Sequence, residues 1–423
     1  MKRIINHVIW TVVAVIVSVS CSDWTEIEQK FPTDLTSNVN KDDYYANLRA
    51  YRNTEHEIMF GYYQGFGGAS SSYAHSLMGL PDSMDIVSMW GAGFEYNEEQ
   101  IADLKMAQEK KGLKCLMVFI AHSVGTQISP DFVKNASEET PALIKDRYTG
   151  EVGTYTDWQS ARRAFWGMDV NDGKNNTPAM EERAIKAVEL YADSLCYIIN
   201  EVLHLDGFDW DFEYGYSVGD NVGDIIGDQG NITKEQAHNR TLAFAKRMRE
   251  GLGDKIFIID GVPQSLQAPE ACIYFDYFAH QAYGSGGTSL TEANMDSRYK
   301  ATVSAFSPYM EEEEIAKRTI LLETFERSYT YEGKTYYGFG NWTLRDGTKP
   351  ISTSNNVTTV NDPDYIGGSF EGMARWQPIV NGKYVPKGGI GAYLINNAYN
   401  TPGWNSFYGQ LRDCIQIMNP AVK

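Results

Sequence analysis

Apolar residues along this chain fall into two alternating rhythms. Short continuous runs such as Ile58-Met59-Phe60-Gly61-Tyr62-Tyr63-Gln64, Asp85–Trp90 and Lys114–Ile120 are too brief for amphipathic helices and read as buried strands. Between such runs, Glu98–Lys111, Ala179–Leu203 and Thr233–Glu250 carry apolar residues at helical spacing. The second does so through Ile185, Val188, Tyr191, Leu195, Ile198, Ile199 and Val202, and Thr233 supplies an N-cap for the third. The alternation continues through strands at Lys255–Val262, Phe275–Tyr283, Thr319–Glu323 and Gly389–Ile395, and closes with a helix over Trp404–Met418. Together with a strand after Leu205 these make eight strands in β/α order. That order predicts a parallel α/β fold, and eight repeats of it predict a (β/α)8 TIM barrel. Two segments break the rhythm. Residues 121–177 form a long excursion after the third strand, and 329–368, rich in Gly and Thr, read as an insertion after the seventh with its own hairpin. Loops of that length inside a compact domain are usually functional.

The strand at Gly207-Phe208-Asp209-Trp210-Asp211-Phe212-Glu213 has an unusual pattern. With period two, Phe208, Trp210 and Phe212 share one face, while Asp209, Asp211 and Glu213 share the other. The aromatic face suits packing beneath helices. Isolated ionised carboxylates are too costly to bury, so the acidic face must share protons, hydrogen-bond, or meet a polar ligand. A calcium loop does not fit, because the glycine-containing turn between the acids is missing. A solvated edge strand leaves the aromatic face unexplained. Three acids on one inward face therefore mark a site. In a barrel, catalytic groups stand at the carboxyl ends of strands, and this row ends just before a glycine-rich loop.

The run Asp206-Gly207-Phe208-Asp209-Trp210-Asp211-Phe212-Glu213 resembles the Asp-Gly-x-Asp-x-Asp-x-Glu strand of glycoside hydrolase family 18. That family holds chitinases and endo-β-N-acetylglucosaminidases on a (β/α)8 barrel. The sixth strand ends Gln281-Ala282-Tyr283-Gly284, and this Gln-x-Tyr form resembles the endo-β-N-acetylglucosaminidase branch, where chitinases show Met-x-Tyr-Asp. The resemblance implies a retaining, substrate-assisted hydrolysis of GlcNAc-β1,4-GlcNAc linkages, an exception to the usual carboxylate nucleophile. In it Glu213 is the acid, Asp211 steadies the oxazolinium, Asp209 shares a proton with Asp211, and Tyr283 and Gln281 hold the acetamido group. It also implies Tyr62, Trp90 and Tyr393 as sugar contacts. No metal or organic cofactor is implied. There are departures from the chitinase pattern: Tyr393 stands where chitinases carry tryptophan, and Ala121-His122-Ser123-Val124-Gly125 replaces Ser-x-Gly-Gly. His122 reads equally as a structural histidine or a substrate contact. The alternatives to an N-glycan enzyme are a chitinase and a non-catalytic surface glycan-binding lipoprotein.

Composition narrows the partners. Of 423 residues, 43% are hydrophobic and 13% aromatic, and the formal net charge is −18. Such a charge argues against nucleic acid as a partner, and a monomer acting on a glycan is expected. Met1-Lys2-Arg3 followed by an apolar run to Val19 reads as a signal peptide, 1–20. Cys21 behind small residues resembles a bacterial lipoprotein cleavage site. A lipid anchor on Cys21, a tether over 21–52 and a barrel over 53–423 are then expected. The acidic stretch behind Cys21 suggests a surface-exposed lipoprotein of a Gram-negative outer membrane. Cys115, Cys196, Cys272 and Cys414 have no metal-ligand spacing and read as buried free thiols.

Overall fold

The computed structural model describes residues 41–68, 71–213, 223–227, 230–284 and 290–420. The proposed signal peptide, Cys21 and most of the tether lie outside them. Residues 45–423 form one compact unit. Its centre is a closed barrel of eight parallel strands, which we label β1 (Ile58–Gln64), β2 (Ile86–Trp90), β3 (Lys114–Phe119), β4 (Gly207–Phe212), β5 (Ile256–Gly261), β6 (Tyr277–Gln281), β7 (Thr319–Thr324) and β8 (Gly389–Tyr393). Each strand pairs with its neighbour in number, and β8 closes on β1. The fold expected from the alternation of apolar runs is the one observed.

Two apolar layers explain why the pattern folds this way. Ile58, Phe60, Tyr62, Ile86, Leu116, Val118, Ile258, Ala279, Ile320 and Leu322 fill the barrel interior. Their strand neighbours, among them Met59, Val87, Phe208, Trp210, Phe257, Phe278 and Leu321, face outward into the layer beneath the helices. Buried on both faces, these strands read as continuous apolar runs. Trp210 shows the outer packing: its ring lies 4.7 Å from Phe244 and 5.4 Å from Phe212, both nearly edge-on.

The helices follow their predicted spans with one difference. Glu98–Met106 passes into a π-helical turn at Ala107–Lys111, and Pro178–Tyr197 into another at Ile198–Val202. Apolar periodicity does not distinguish these wider turns from α-helix. Thr233 caps Lys234–Leu252 with a reciprocal bond between its hydroxyl and Gln236. The end of the segment read as tether is helical over Lys41–Arg52. Its Arg52 donates to Asp85 at 2.8 Å and to the Lys111 carbonyl at 2.6 Å, against the amino-terminal pole of the barrel.

Both long segments are built rather than loose. The excursion after β3 holds a hairpin, Ala142–Lys145 with Val152–Tyr155, and the helices Asp131–Lys134 and Trp158–Trp166. The insertion after β7 is a four-stranded sheet over residues 328–360, more than the single hairpin expected. Cys115, Cys196, Cys272 and Cys414 are all buried free thiols, as read from their spacing.

A buried ion cluster ties the excursion to the chain beyond β4. Asp224 is fully buried and accepts from Arg162 and Arg163 of the helix Trp158–Trp166. Arg240 grips Asp172 through both carboxylate oxygens at 2.8–2.9 Å, and also reaches Glu181 and the Asp224 carbonyl. The two guanidiniums hold the Asp224 carboxyl below the usual range against the opposing effect of burial. Removing one member leaves buried charge uncompensated, so Asp224→Ala is expected to cost about 3–5 kcal/mol. The exposed pair Arg247–Asp193 is the control, where Asp193→Ala should cost under about 1 kcal/mol. Urea denaturation of both variants measures the difference.

Candidate active site

The carboxylate row stands where the period-two reading placed it. Asp209 and Asp211 point from β4 into the barrel, and both are almost wholly buried. Glu213 lies one residue past the strand end and is half-buried. The row therefore climbs from the barrel interior to its carboxyl-terminal mouth.

Each acid has a distinct environment. Ser88, inward on β2, donates its hydroxyl to Asp209 Oδ2 at 2.6 Å, while the other oxygen has no partner. Burial pushes the Asp209 carboxyl up to about 7, with the Ser88 bond opposing. Asp211 is driven well above the ordinary carboxylate range by burial, then by the charges of Glu213 and Asp209. The opposing influence is the Gln281 amide, whose Nε2 donates to Asp211 Oδ1 at 3.1 Å. Acids this close do not ionise together, so protons are shared along the row.

β6 and β8 close the site across from β4. Tyr283 follows β6 and packs on the barrel-interior cluster, its ring centroid 6.2 Å from that of Tyr393. Its phenol is held well above the ordinary tyrosine range by burial and by the neighbouring acids Asp260, Asp211 and Glu213. Tyr62, Trp90 and Tyr393 form an edge-to-face triangle with centroids 5.8–5.9 Å apart. The Tyr62 hydroxyl is buried without a partner, a donor left for something the described residues do not supply. Of the sequence-selected residues, Asp209, Asp211, Glu213, Gln281, Tyr283, Tyr62, Trp90 and Tyr393 converge on the barrel mouth. Cys21 lies outside the described residues.

His122 is buried beside the Phe212 ring, 6.2 Å between centroids, on the outward side of β4. Its carbonyl accepts the Ile225 amide at 2.9 Å. That position belongs to packing under the segment after β4. Gly284 donates its amide to Glu323 Oε1 at 3.2 Å, and a Cβ there would stand 3.7 Å from the same oxygen. An aspartate at 284 would set a second acid beside a buried one, which accounts for the glycine.

Three polar residues of the site escaped the sequence reading. Ser88 and Asp260 each interrupt an otherwise apolar strand on its inward face, and Glu323 ends β7 with its carboxyl 1% exposed. The available signal was parity. Ser88 shares a face with Trp90, and Asp260 shares one with Ile258. Gly261, at φ +104°, follows Asp260, and a Cβ there would fall 2.4 Å from the Phe212 carbonyl oxygen. A glycine is needed for β5 to pass so close to the end of β4.

A family model described as glycoside hydrolase family 18, BT1044-like, matches residues 25–164 and 167–349. A barrel fold with a mouth lined by acids and aromatics thus takes its class: a (β/α)8-barrel glycoside hydrolase. The chain belongs to glycoside hydrolase family 18, in its BT1044-like group. Among solved structures, a selenomethionine Glu-to-Gln variant of BT1044 is similar in fold, with a TM-score of 0.60 and 23% identity over 90% of this chain and 93% of that one. An apo endo-β-N-acetylglucosaminidase from Cordyceps militaris matches with a TM-score of 0.48 and 19% identity, over 89% of this chain and 95% of that one. A family 18 chitinase from Pseudoalteromonas aurantia matches with 0.44 and 12%, over 85% and 100%. No curated protein matches the chain.

Proposed function

We propose that the chain is an endo-acting glycosidase that cleaves GlcNAc-β1,4-GlcNAc linkages in the chitobiose core of N-glycans, with retention of configuration. The observation that carries this reading is the bond from Gln281 Nε2 to Asp211 Oδ1, which joins the acid row to the Gln-x-Tyr end of β6. An amide and a phenol facing a carboxylate at this spacing suit a planar acetamido group. The carboxylate takes its N–H, and the amide and phenol hold its oxygen in place.

The chemistry follows from these positions. Glu213, at the mouth, delivers its proton to the glycosidic oxygen as the C1–O bond breaks. The acetamido carbonyl oxygen of the same sugar attacks C1 from the opposite face and forms an oxazolinium. Asp211 accepts a hydrogen bond from its N–H and offsets its charge, while Asp209 keeps the proton that lets Asp211 ionise. Water, deprotonated by Glu213, then opens the ring at C1 and restores the acid. Tyr62, Trp90 and Tyr393 form the sugar floor, stacking against the apolar faces of the ring. Every step uses side chains of this chain and the substrate itself.

Incubation with a glycoprotein should release free glycan and leave one GlcNAc on each site, read by gel mobility and mass spectrometry. Cleavage of chitooligosaccharides with no release from glycoprotein would make it a chitinase instead. Tight glycan binding with no cleavage of either would make it a binding protein.

The same reading places the enzyme on a bacterial outer membrane, facing outward, through lipid on Cys21, with the catalytic barrel over 53–423. The order of basic head, apolar run and cysteine supports it. Cys21→Ala should move the protein from the membrane to the soluble fraction. Full retention in membranes after that change would sink the anchor. None of the described helices is long and apolar enough to cross a membrane.

A further inference from the structure

The mechanism above leaves one buried acid of the site without a task. Asp260 is the last inward-facing residue of β5 and is fully buried. In the strand register it stands directly opposite Asp211 on one side and Ala279 on the other. Gln281, two residues beyond Ala279, shares its inward face, so Asp260 lies under the Gln-x-Tyr end of β6. Neither carboxyl oxygen has a hydrogen-bond partner of good geometry. A buried acid in that state must be neutral or must have a partner that completes it.

Its neighbours indicate what it acts on. Asp260 outranks Asp211 and Glu213 among the acids that raise the Tyr283 phenol. The Gln281 amide is near enough to pull the Asp260 carboxyl down against burial, which otherwise drives it well above its usual range. One N–H of that amide is already committed to Asp211. The second N–H and the carbonyl oxygen remain to be placed. In an empty site such bonds are commonly long, and they tighten when substrate arrives.

We propose that Asp260 is a positioning residue of the hydrolysis, holding Gln281 and Tyr283 from the β5 side while Asp211 holds Gln281 from the β4 side. The acetamido group is then clamped by side chains that are themselves fixed from two adjacent strands. Asp260 touches neither the sugar nor the reacting atoms. Its work is orientation, and a displacement of about 1 Å at the reacting carbonyl can cost about 10²-fold in rate. This proposal rests on the substrate-assisted reading of the site.

The test uses the full chain and two trimannosyl-chitobiose glycopeptides, one N-acetyl and one N-trifluoroacetyl on the sugar whose linkage is cleaved. Fluorination weakens the carbonyl nucleophile, so the ratio of the two kcat values reports how far the acetamido group participates. In the wild type the ratio should fall strongly toward the N-acetyl substrate. A wild-type ratio near one would overturn the substrate-assisted reading itself. Given a normal wild-type ratio, Asp260→Ala should lower kcat on the N-acetyl substrate about 10²-fold and shrink the ratio, with KM changed far less. Asp260→Asn keeps the shape and the hydrogen-bonding capacity, and should recover most of both. If either folded variant lost rate on both substrates equally, with the ratio at its wild-type value, Asp260 would be a structural acid and the proposal would fall. Unchanged kcat in Asp260→Ala would overturn it as well.

Discussion

Glu213→Gln is expected to lower turnover on glycoprotein by about 10²–10⁴-fold, the usual worth of a positioned general acid. Binding of the glycan should survive. The reason lies in where the residue stands. Asp209 and Asp211 are walled into the barrel, whereas Glu213 is the half-buried end of the row, past the last residue of β4. Only this carboxyl reaches toward the space where a leaving-group oxygen would sit. An amide of the same shape keeps the hydrogen bonds to sugar but has no proton to give. The variant should therefore show kcat reduced with the dissociation constant little changed, measured by single-turnover cleavage beside calorimetric titration. A loss of binding in proportion to rate would reassign Glu213 to substrate contact.

The legible part of this molecule was its strands. Eight runs buried on both faces leave long apolar signatures, and the acid row on β4 was readable because side-chain direction alternates residue by residue. Gln281 and Tyr283 were found through the family resemblance, since Gln and Tyr at a strand end have no single meaning in themselves. Ser88 and Asp260 were passed over for a physical reason: one polar residue inside an apolar strand is as often a bend or a helix contact as a site. Their roles appear only when the barrel closes and brings β2 and β5 to either side of β4. The Arg162-Arg163 pair shows the limit more sharply. On its own helix it reads as a solvated charge run, yet its partner Asp224 lies about sixty residues further on and removes both from water. Pairing across that distance has no local period to betray it.

The charge that Asp211 must offset makes its replacement the more informative experiment. Asp211→Asn removes the negative charge and keeps the contact with the Gln281 amide or its equivalent. Formation of the oxazolinium then lacks its counter-charge, and hydrolysis should fall by about 10²-fold or more, as for other groups that meet developing charge in a water-excluded site. An oxazoline supplied ready-made does not need that step. Its ring is already closed, its shape fits the same pocket, and Glu213 remains to assist the incoming nucleophile. The variant should therefore transfer glycan from a synthetic oxazoline donor to a GlcNAc acceptor while hydrolysing the product slowly, so that product accumulates. The two activities separate because one needs Asp211 ionised and the other does not. Measured as the ratio of transfer to product hydrolysis, the variant should exceed the wild type by at least tenfold, a difference of about 1.4 kcal/mol between the two barriers. If transfer and hydrolysis fell together, Asp211 would be serving both steps alike, and the oxazolinium would lose its claim to be the intermediate.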